Sequence, residues 1–197
     1  MLERHHLVRR TRRHLNSIAE IVPAAWDLAR NNGIGGFSLR QLAESVGLKA
    51  PSLYQYFETK NDLYDAMFAD GYEQLRDRLA SQDGKPPLSR DEIKAEAIAF
   101  FDFSTEDPVR YALMCERPIP GFEPSPESAA LADEVLRSQV VSMLANIGVA
   151  ERDAQRLFVA LINGIVAQQI GSNPGGSDWR PLVEQGVDLF LDHVGFE

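Results

Sequence analysis

The chain has 197 residues, a single cysteine and a net charge of −9, and 44% of its residues are hydrophobic. This length allows a substantial core in one or two domains, the lone Cys115 excludes an internal disulfide framework, and no apolar run reaches the roughly 18 residues of a membrane span. The basic N-terminus lacks the apolar core of a secretory signal, so these features together predict a cytoplasmic protein.

The charge is unevenly distributed along the chain. Residues 1–60 contain nine Lys and Arg and five Asp and Glu, a net charge of +4, which leaves −13 for the remainder. One interpretation of the basic N-terminus is a solvated tail, and the other is an arm that reaches DNA phosphates and adds affinity without sequence information. The arginines concerned are Arg4, Arg9, Arg10, Arg12 and Arg13.

Apolar residues at three- and four-residue spacing predict a first full helix over residues 15–32. Pro23 lies inside this pattern and implies a kink or a late helix start. The glycine-rich residues 33–36 follow a helix and have neither a preceding strand nor a following Lys-Ser/Thr pair. They therefore indicate a turn and not a phosphate-binding loop.

Residues 38–60 predict two short helices joined by a tight turn. Ser38 can cap the first helix while Gln41 reaches back to it, which makes a capping box. Gly47 suits the turn, since glycine reaches positive φ at little steric cost, and Pro51 suits the first turn of a second helix. Two helices arranged in this way form a helix-turn-helix, whose second helix normally enters the major groove of DNA.

The same stretch resembles the DNA-binding signature of the tetracycline-repressor (TetR) family, without a gap over about thirty positions. Lys49 departs from the pattern, because many members have Ser or Thr there as a cap, whereas a lysine has no acceptor and suggests a phosphate contact instead. The resemblance is carried by Gly36-Phe-Ser-Leu-Arg40, Leu42-Ala43, Val46-Gly47-Leu48, Leu53-Tyr54, Tyr56-Phe57 and Lys60.

The resemblance implies roles for individual residues in DNA binding. Ser38 and Arg40 would contact the phosphate backbone, and Lys60 would anchor another phosphate. Gln55 is a plausible base reader because its amide can pair with adenine, and Pro51 can offer an apolar surface to a thymine methyl. Partial packing is the alternative for Tyr54, whereas Leu53 and Phe57 are assigned to the core. The full predicted set is Ser38, Arg40, Lys49, Ala50, Pro51, Ser52, Tyr54, Gln55, Tyr56 and Lys60.

The rest of the chain predicts helices separated by breaker-rich loops, and no segment has strand-type alternation. The expected fold is all-α with about nine helices. We expect a helix-turn-helix domain at residues 1–60, a connecting helix at 61–81, and a ligand-binding and dimerisation domain at 82–197. The predicted signals in this part are Thr59 before the connecting helix, a loop at 82–87, a capping box of Ser89 and Glu92, a short helix opened by Asp107-Pro108, a Pro-rich stretch at 118–126, and helices at 127–147, 151–170 and 178–194, the last with Asp178 as its cap.

Residues 151–170 and 178–194 have more apolar surface than one packed side requires. The resemblance implies that these last two helices pair with those of a second copy in a four-helix bundle. The alternative is that these faces belong to the core of a single chain.

The acidic C-terminal part is where we expect an effector to bind. The Pro-rich stretch favours the mouth of a pocket, although aromatic and Met residues at helical spacing are also typical of plain core. Polar groups on an apolar helix, Asn163, Gln168 and Gln169, could orient a small, mostly apolar molecule. The candidate lining consists of Phe100, Phe103, Tyr111, Met114, Cys115, Phe122, Asn163 and Trp179.

These features together predict a homodimeric repressor that a small apolar ligand releases from a palindromic operator in double-stranded DNA. The alternative is a DNA-binding protein of the same fold with no effector, acting as an activator or in a structural role. One cysteine and four histidines assemble no Ser–His–acid constellation and no metal ligand set, so we expect neither an enzyme nor a cofactor.

Overall fold

The computed structural model describes residues 18–80 and 89–196, and every regular element within them is helical. Helices α7 and α8 are joined by a π-helical turn into one continuous helix, so the described residues form nine helical segments, as predicted. The elements are α1 (residues 18–32), α2 (Leu39–Ser45), α3 (Ala50–Leu53), α4 (Lys60–Leu79), α5 (Arg90–Glu106), α6 (Pro108–Cys115), α7 (Pro126–Leu136), the π turn (Arg137–Val141), α8 (Ser142–Asn146), α9 (Arg152–Ser172) and α10 (Arg180–His193).

Local signals place most helix starts where the sequence predicts them. In each of three capping boxes the first residue accepts from the backbone N–H three positions later, and the side chain at that position accepts in return. These boxes open α2, α4 and α5 and are formed by Ser38 with Gln41, Thr59 with Asp62, and Ser89 with Glu92.

Two expectations about helix ends are wrong. Residues 18–22 are already helical, so Pro23 does not mark a late start of α1. Asp178 does not cap α10, because its carboxylate accepts instead from the side-chain amide of Asn173, at 2.7 Å, and Trp179 occupies the cap position without a side-chain bond. The arginines of residues 1–14 and the predicted loop at 82–87 lie outside the described residues.

The first hydrophobic cluster surrounds the helix-turn-helix and extends beyond it. Trp26, Leu42 and Leu53 are almost fully buried where α1, α2 and α3 meet α4. The cluster continues along α4 to Met114 on α6 and Val135 on α7. Helix α4 therefore packs against both the DNA-binding helices and the helices that follow it.

The second cluster lies between α5, α9 and α10. Phe101 of α5 packs in the same cluster as Ile162 of α9 and Leu191 of α10, and all three are nearly inaccessible to solvent. Gly186 lets α9 and α10 approach closely, because a Cβ at that position would lie 3.2 Å from Ile165 Cδ1. These helices form the main body of the C-terminal part.

Candidate nucleic-acid interface and effector cavity

The turn between α2 and α3 has the geometry that its sequence predicts. Gly47 has a φ of +69°, a conformation that other residues adopt rarely. Lys49 precedes α3 in extended conformation and makes no side-chain cap, and Pro51 lies in the first turn. Assigned α-helix ends at Leu53, and the chain continues in turns in which Tyr56 N–H donates to Leu53 O, at 2.9 Å.

Helix α3 and the turns after it have one buried side and one exposed side. Leu53 and Phe57 are buried, as expected. Tyr54 is 50% exposed, and Pro51 and Gln55 are also exposed, so these three side chains can be reached by a duplex. The side chains of Ala50, Ser52 and Tyr56 are half-buried.

The polar candidates at the edges of the motif already have partners within the chain. The hydroxyl of Ser38 donates to Gln41 Oε1, at 2.9 Å. Arg40 is exposed and pairs with Glu44, at 3.2 Å. Lys60 Nζ donates to the carbonyl oxygen of Gly35, at 2.9 Å. An incoming phosphate would therefore have to share or replace these contacts.

The described part of the motif carries no net positive charge. Residues 18–60 contain four basic and four acidic residues, so the entire excess of +4 in the first sixty residues comes from residues 1–17. The electrostatic attraction to DNA that the sequence predicts therefore depends on the arginines of the N-terminal segment.

A cavity of about 60 Å³ lies between α4, α5, α9 and the continuous helix of α7 and α8. Its wall is apolar apart from three side chains, Glu96, Gln139 and Asn163. The residues that line it are Leu75, Leu79, Glu96, Ala97, Phe100, Val135, Leu136, Gln139, Val140, Met143, Phe158, Val159, Ile162 and Asn163.

The polar groups of the cavity differ in their partners. Asn163 accepts from the hydroxyl of Tyr111, at 3.1 Å, and donates to Val159 O, at 2.9 Å. Burial raises the pKa of Tyr111, so this hydroxyl stays a neutral donor. Glu96 forms no hydrogen bond or ion pair with a described residue, and burial raises the pKa of its carboxyl group.

The structure divides the predicted pocket residues among several environments. Phe100 and Asn163 line the cavity, and Tyr111 adjoins it through its bond to Asn163. Phe103, Met114 and Phe122 belong to the first hydrophobic cluster, Cys115 is exposed, and Trp179 donates its indole N–H to Ser172 Oγ at 2.9 Å. Gln169 is buried and accepts from the backbone N–H of Trp179, at 3.0 Å, while Gln168 is exposed.

Most of the cavity wall was not singled out from the sequence. Glu96 carried a usable signal, because it is the acidic residue between Ile93 and Phe100 on the apolar side of α5, at three- and four-residue spacing. The wall residues of α4 and α7, such as Leu75 and Val135, carried none, because their pattern also fits a solid core.

A wider groove of about 370 Å³ adjoins the cavity, and Val159 and Asn163 contribute to both. Two arginines of α9, Arg152 and Arg156, line this groove. Arg156 pairs with Asp153, at 3.4 Å, and both side chains are exposed.

The outer faces of α9 and α10 expose large apolar side chains. Leu189 is 71% exposed, Leu157 is 50% exposed, and Leu182 is also accessible. Between them α9 exposes the small residues Ala160 and Gly164. This surface, formed by Leu157, Ala160, Gly164, Leu182 and Leu189, is called the outer face of α9 and α10 below.

None of the helices in the described ranges is long and apolar enough to cross a membrane. Within residues 18–80 and 89–196, no three His, Cys, Asp or Glu side chains are grouped in a way that could hold a metal ion.

Comparison with known proteins agrees with this architecture. The sequence model for the tetR family of bacterial regulatory proteins matches residues 21–67, which include all of α2 and α3. An HTH-type transcriptional regulator of Mycobacterium tuberculosis is 25% identical over 175 residues, covering 85% of this chain and 68% of that protein. The proteins found are regulators, which confirms that the chain is not an enzyme.

Solved structures show the same fold along nearly the whole chain. A tetR-family transcriptional regulator from Streptomyces coelicolor superposes with a TM-score of 0.70 at 22% identity, covering 89% of this chain and 78% of that one. The transcriptional regulator FadR from Bacillus subtilis, in complex with stearoyl-CoA, gives a TM-score of 0.67 at 16% identity over 87% of this chain and 96% of that one.

Proposed function

We propose that this chain, which belongs to the TetR family of DNA-binding transcriptional regulators, is a homodimeric repressor that a small, mostly apolar effector releases from a palindromic operator. The observation that carries the proposal is the position of α4. Near its start, Tyr64 donates to the carbonyl oxygen of Ile34, at 3.1 Å, beside the helix-turn-helix. Near its end, Leu75 and Leu79 line the cavity. One rigid helix thus joins the site of an effector to the DNA reader.

An effector would act through the difference between two states. A ligand that fills the cavity presses on Leu75 and Leu79, and a shift of α4 at that end moves the helix-turn-helix at the other. Two such motifs in a dimer bind DNA together only when their separation matches the spacing of the half-sites. A ligand that prefers a mismatched separation therefore lowers operator affinity by its own preference for that state.

The outer face of α9 and α10 supports a homodimer. Exposed leucines favour burial, and Ala160 and Gly164 would allow a partner helix to approach closely. A two-fold pairing through this face leaves α3 of each copy free to face DNA, and it predicts an operator with two-fold symmetry.

The reading surface proposed is Pro51, Tyr54 and Gln55, with Lys49 and Arg40 at its edges. The three central side chains are exposed beside a buried Leu53, so they can contact base edges while the core holds the helix in place. Phosphate contacts from Lys49 and Arg40 would set the register.

The test begins with selection of bound sequences from random duplex DNA by the full chain. We expect a palindromic consensus. In a shift assay on that consensus, Tyr54→Ala should weaken binding at least about tenfold, the loss of one good base or stacking contact, while the mass of the dimer in solution is unchanged. Selection of no sequence, or full affinity in the Tyr54→Ala variant, would contradict the proposed reader.

The alternative of a DNA-binding protein without an effector is separated by thermal melts against hydrophobic compounds. A compound that binds the native state at a hundred times its Kd adds about 2.7 kcal/mol to the free energy of unfolding and raises Tm. The proposed repressor requires at least one such compound, and that compound must also lower operator affinity.

A further inference from the structure

We propose that the cavity takes an amphipathic ligand that carries one positive charge, and that Glu96 is the residue that recognises this charge. The inference rests on the proposed function, in which this cavity is the effector site. It names the chemical class of the effector: a lipophilic cation.

Glu96 is an acidic group without a partner in a region where other acids are paired. On the same helix, Asp102 binds Arg180 through two bonds, at 2.8 and 2.9 Å. Lys94, two positions before Glu96, is bound to Asp188 of α10, at 2.9 Å. The cation nearest to Glu96 in the sequence is therefore already engaged elsewhere.

The wall of the cavity offers no positive charge. It contains no Lys or Arg, and its other polar side chains are the neutral amides of Gln139 and Asn163. A carboxylate that is partly withdrawn from water without a cation is destabilised in its charged form, in agreement with the raised pKa of Glu96. A bound ammonium group would supply the missing partner.

The apolar part of the wall suits the rest of such a ligand. Leu75, Met143 and Ile162 provide surface for hydrocarbon. Phe100 and Phe158 provide ring faces, which attract cations by their quadrupole. An anionic headgroup at the same place would face the Glu96 carboxylate without compensation.

The cavity must widen to accept a ligand, and the π turn is the wall most able to move. About 60 Å³ holds roughly two water molecules, far less than an amphiphile needs. The π turn Arg137–Val141 contributes Gln139 and Val140 to the wall, and π-helical turns inside α-helices often mark functional positions. A ligand therefore binds a state in which this wall and α4 have separated, which couples binding to the DNA reader.

The competing recognition group is the arginine pair of the adjoining groove. Arg152 and Arg156 would favour an anionic headgroup, with the chain of the ligand entering past Val159. Arg156 is already paired with Asp153, and the groove is the more open of the two spaces. The buried position and missing partner of Glu96 favour the cation.

Three probes with the same ten-carbon chain separate these cases: decyltrimethylammonium, decanoate and 1-decanol. Each is titrated calorimetrically into the full chain below its aggregation concentration, and each is then tested for release of the selected operator. We expect the cation to bind at least about tenfold tighter than decanoate, a difference of about 1.4 kcal/mol, and to release DNA.

The variants identify the residue. Glu96→Gln should weaken binding of decyltrimethylammonium about tenfold and leave the affinity for 1-decanol unchanged. Glu73→Gln removes the same charge from an exposed position on α4 and should change neither. Melting temperature and operator affinity of both variants confirm that they fold.

Each other outcome overturns the inference. Tighter binding of decanoate, with release of operator, would keep the proposed function and transfer recognition to the arginine groove. Equal affinity for all three probes, or full cation affinity in Glu96→Gln, would remove Glu96 from recognition. Failure of every probe to bind or to release operator would exclude the cavity as an effector site, and with it both proposals.

Discussion

The guanidinium group of Arg30 on α1 binds one carboxylate oxygen of Asp107, with Nε at 2.9 Å and Nη2 at 2.8 Å from Oδ2. Asp107 is only 6% exposed and caps α6, where it also accepts from the backbone N–H of Arg110, at 3.1 Å. The pair thus ties the first DNA-binding helix directly to the C-terminal part.

A second polar chain joins the same elements through α4. The indole N–H of Trp26 donates to Asp70 Oδ2, at 2.7 Å, and Gln74 donates to the same oxygen, at 2.5 Å. Arg110 donates in turn to Gln74 Oε1, at 2.7 Å. Helices α1, α4 and α6 are therefore held in one register by hydrogen bonds as well as by the first hydrophobic cluster.

A double-mutant cycle on Arg30 and Asp107 should show coupling. Removal of Arg30 leaves a buried carboxylate with one donor fewer, while Arg30 itself is partly exposed, so we expect a coupling energy of about 1 kcal/mol in the free energy of unfolding. The measurement is urea denaturation of Arg30→Met, Asp107→Asn and the double variant. Additive effects would show that the two residues do not interact in solution.

Removal of residues 2–14 should weaken operator binding and flatten its salt dependence. Each neutralised phosphate contributes about 0.9 to the slope of log affinity against log salt, so five arginines account for a change of up to about 4.5. Filter binding across a range of salt concentrations measures it. Arg40→Gln is the matched control and should reduce the slope by about one, and an unchanged slope after truncation would mean that the N-terminal segment is only a solvated tail.

Leu189→Glu should dissociate the dimer. The side chain of Leu189 is 71% exposed in one chain, and a carboxylate there would be buried against a second copy without a partner. Sedimentation velocity should show a monomer with an unchanged melting profile at low concentration, and operator affinity should fall. Tyr54→Ala, which truncates an exposed aromatic outside this face, should remain dimeric. A dimeric Leu189→Glu variant would place the interface elsewhere.

Glu96 should make stability depend on pH with a definite sign. Its folded-state pKa is raised above its ordinary value of 4.5, so the folded state binds more protons than the unfolded state just above that pH. Stability therefore falls as the pH rises through the window between the unfolded and folded pKa values, and the loss persists at neutral pH. Melting temperatures of Glu96→Gln should exceed those of the native chain at neutral pH and converge with them below pH 4.5. Equal melting curves at both ends would contradict the unpaired state of this carboxyl.

Gly71→Ala should disturb the contact between α4 and α6. A Cβ at this position would lie 2.8 Å from Met114 Sδ, closer than real Cβ atoms approach. We expect a loss of about 1–2 kcal/mol by urea denaturation, because the packed Met114 side chain must shift. Adding Met114→Ala to Gly71→Ala should cost less than Met114→Ala costs alone, and strict additivity would show that the steric contact is absent.

Local chemistry in the sequence determined the elements and the motif. Ser38 with Gln41, and Ser89 with Glu92, satisfy helix N-termini by bonds that span three residues, and Gly47 allows the turn by its own φ preference. Such interactions need no distant partner, and they set the helix starts and the helix-turn-helix. Asp178 was misassigned because a neighbour of equal reach, Asn173, competes for its carboxylate.

Tertiary structure decided which side chains meet at the cavity. Phe100, Phe101 and Phe103 are close together on α5, yet they face the cavity, the second cluster and the first cluster, respectively. Successive helical residues point about 100° apart, and α5 is covered on several sides, so apolar periodicity alone cannot say which helix each ring meets. Whether Glu96 has a counter-charge likewise depends on Lys94 turning to Asp188, ninety-odd residues away in the sequence, and only the packing of α5 on α10 settles that.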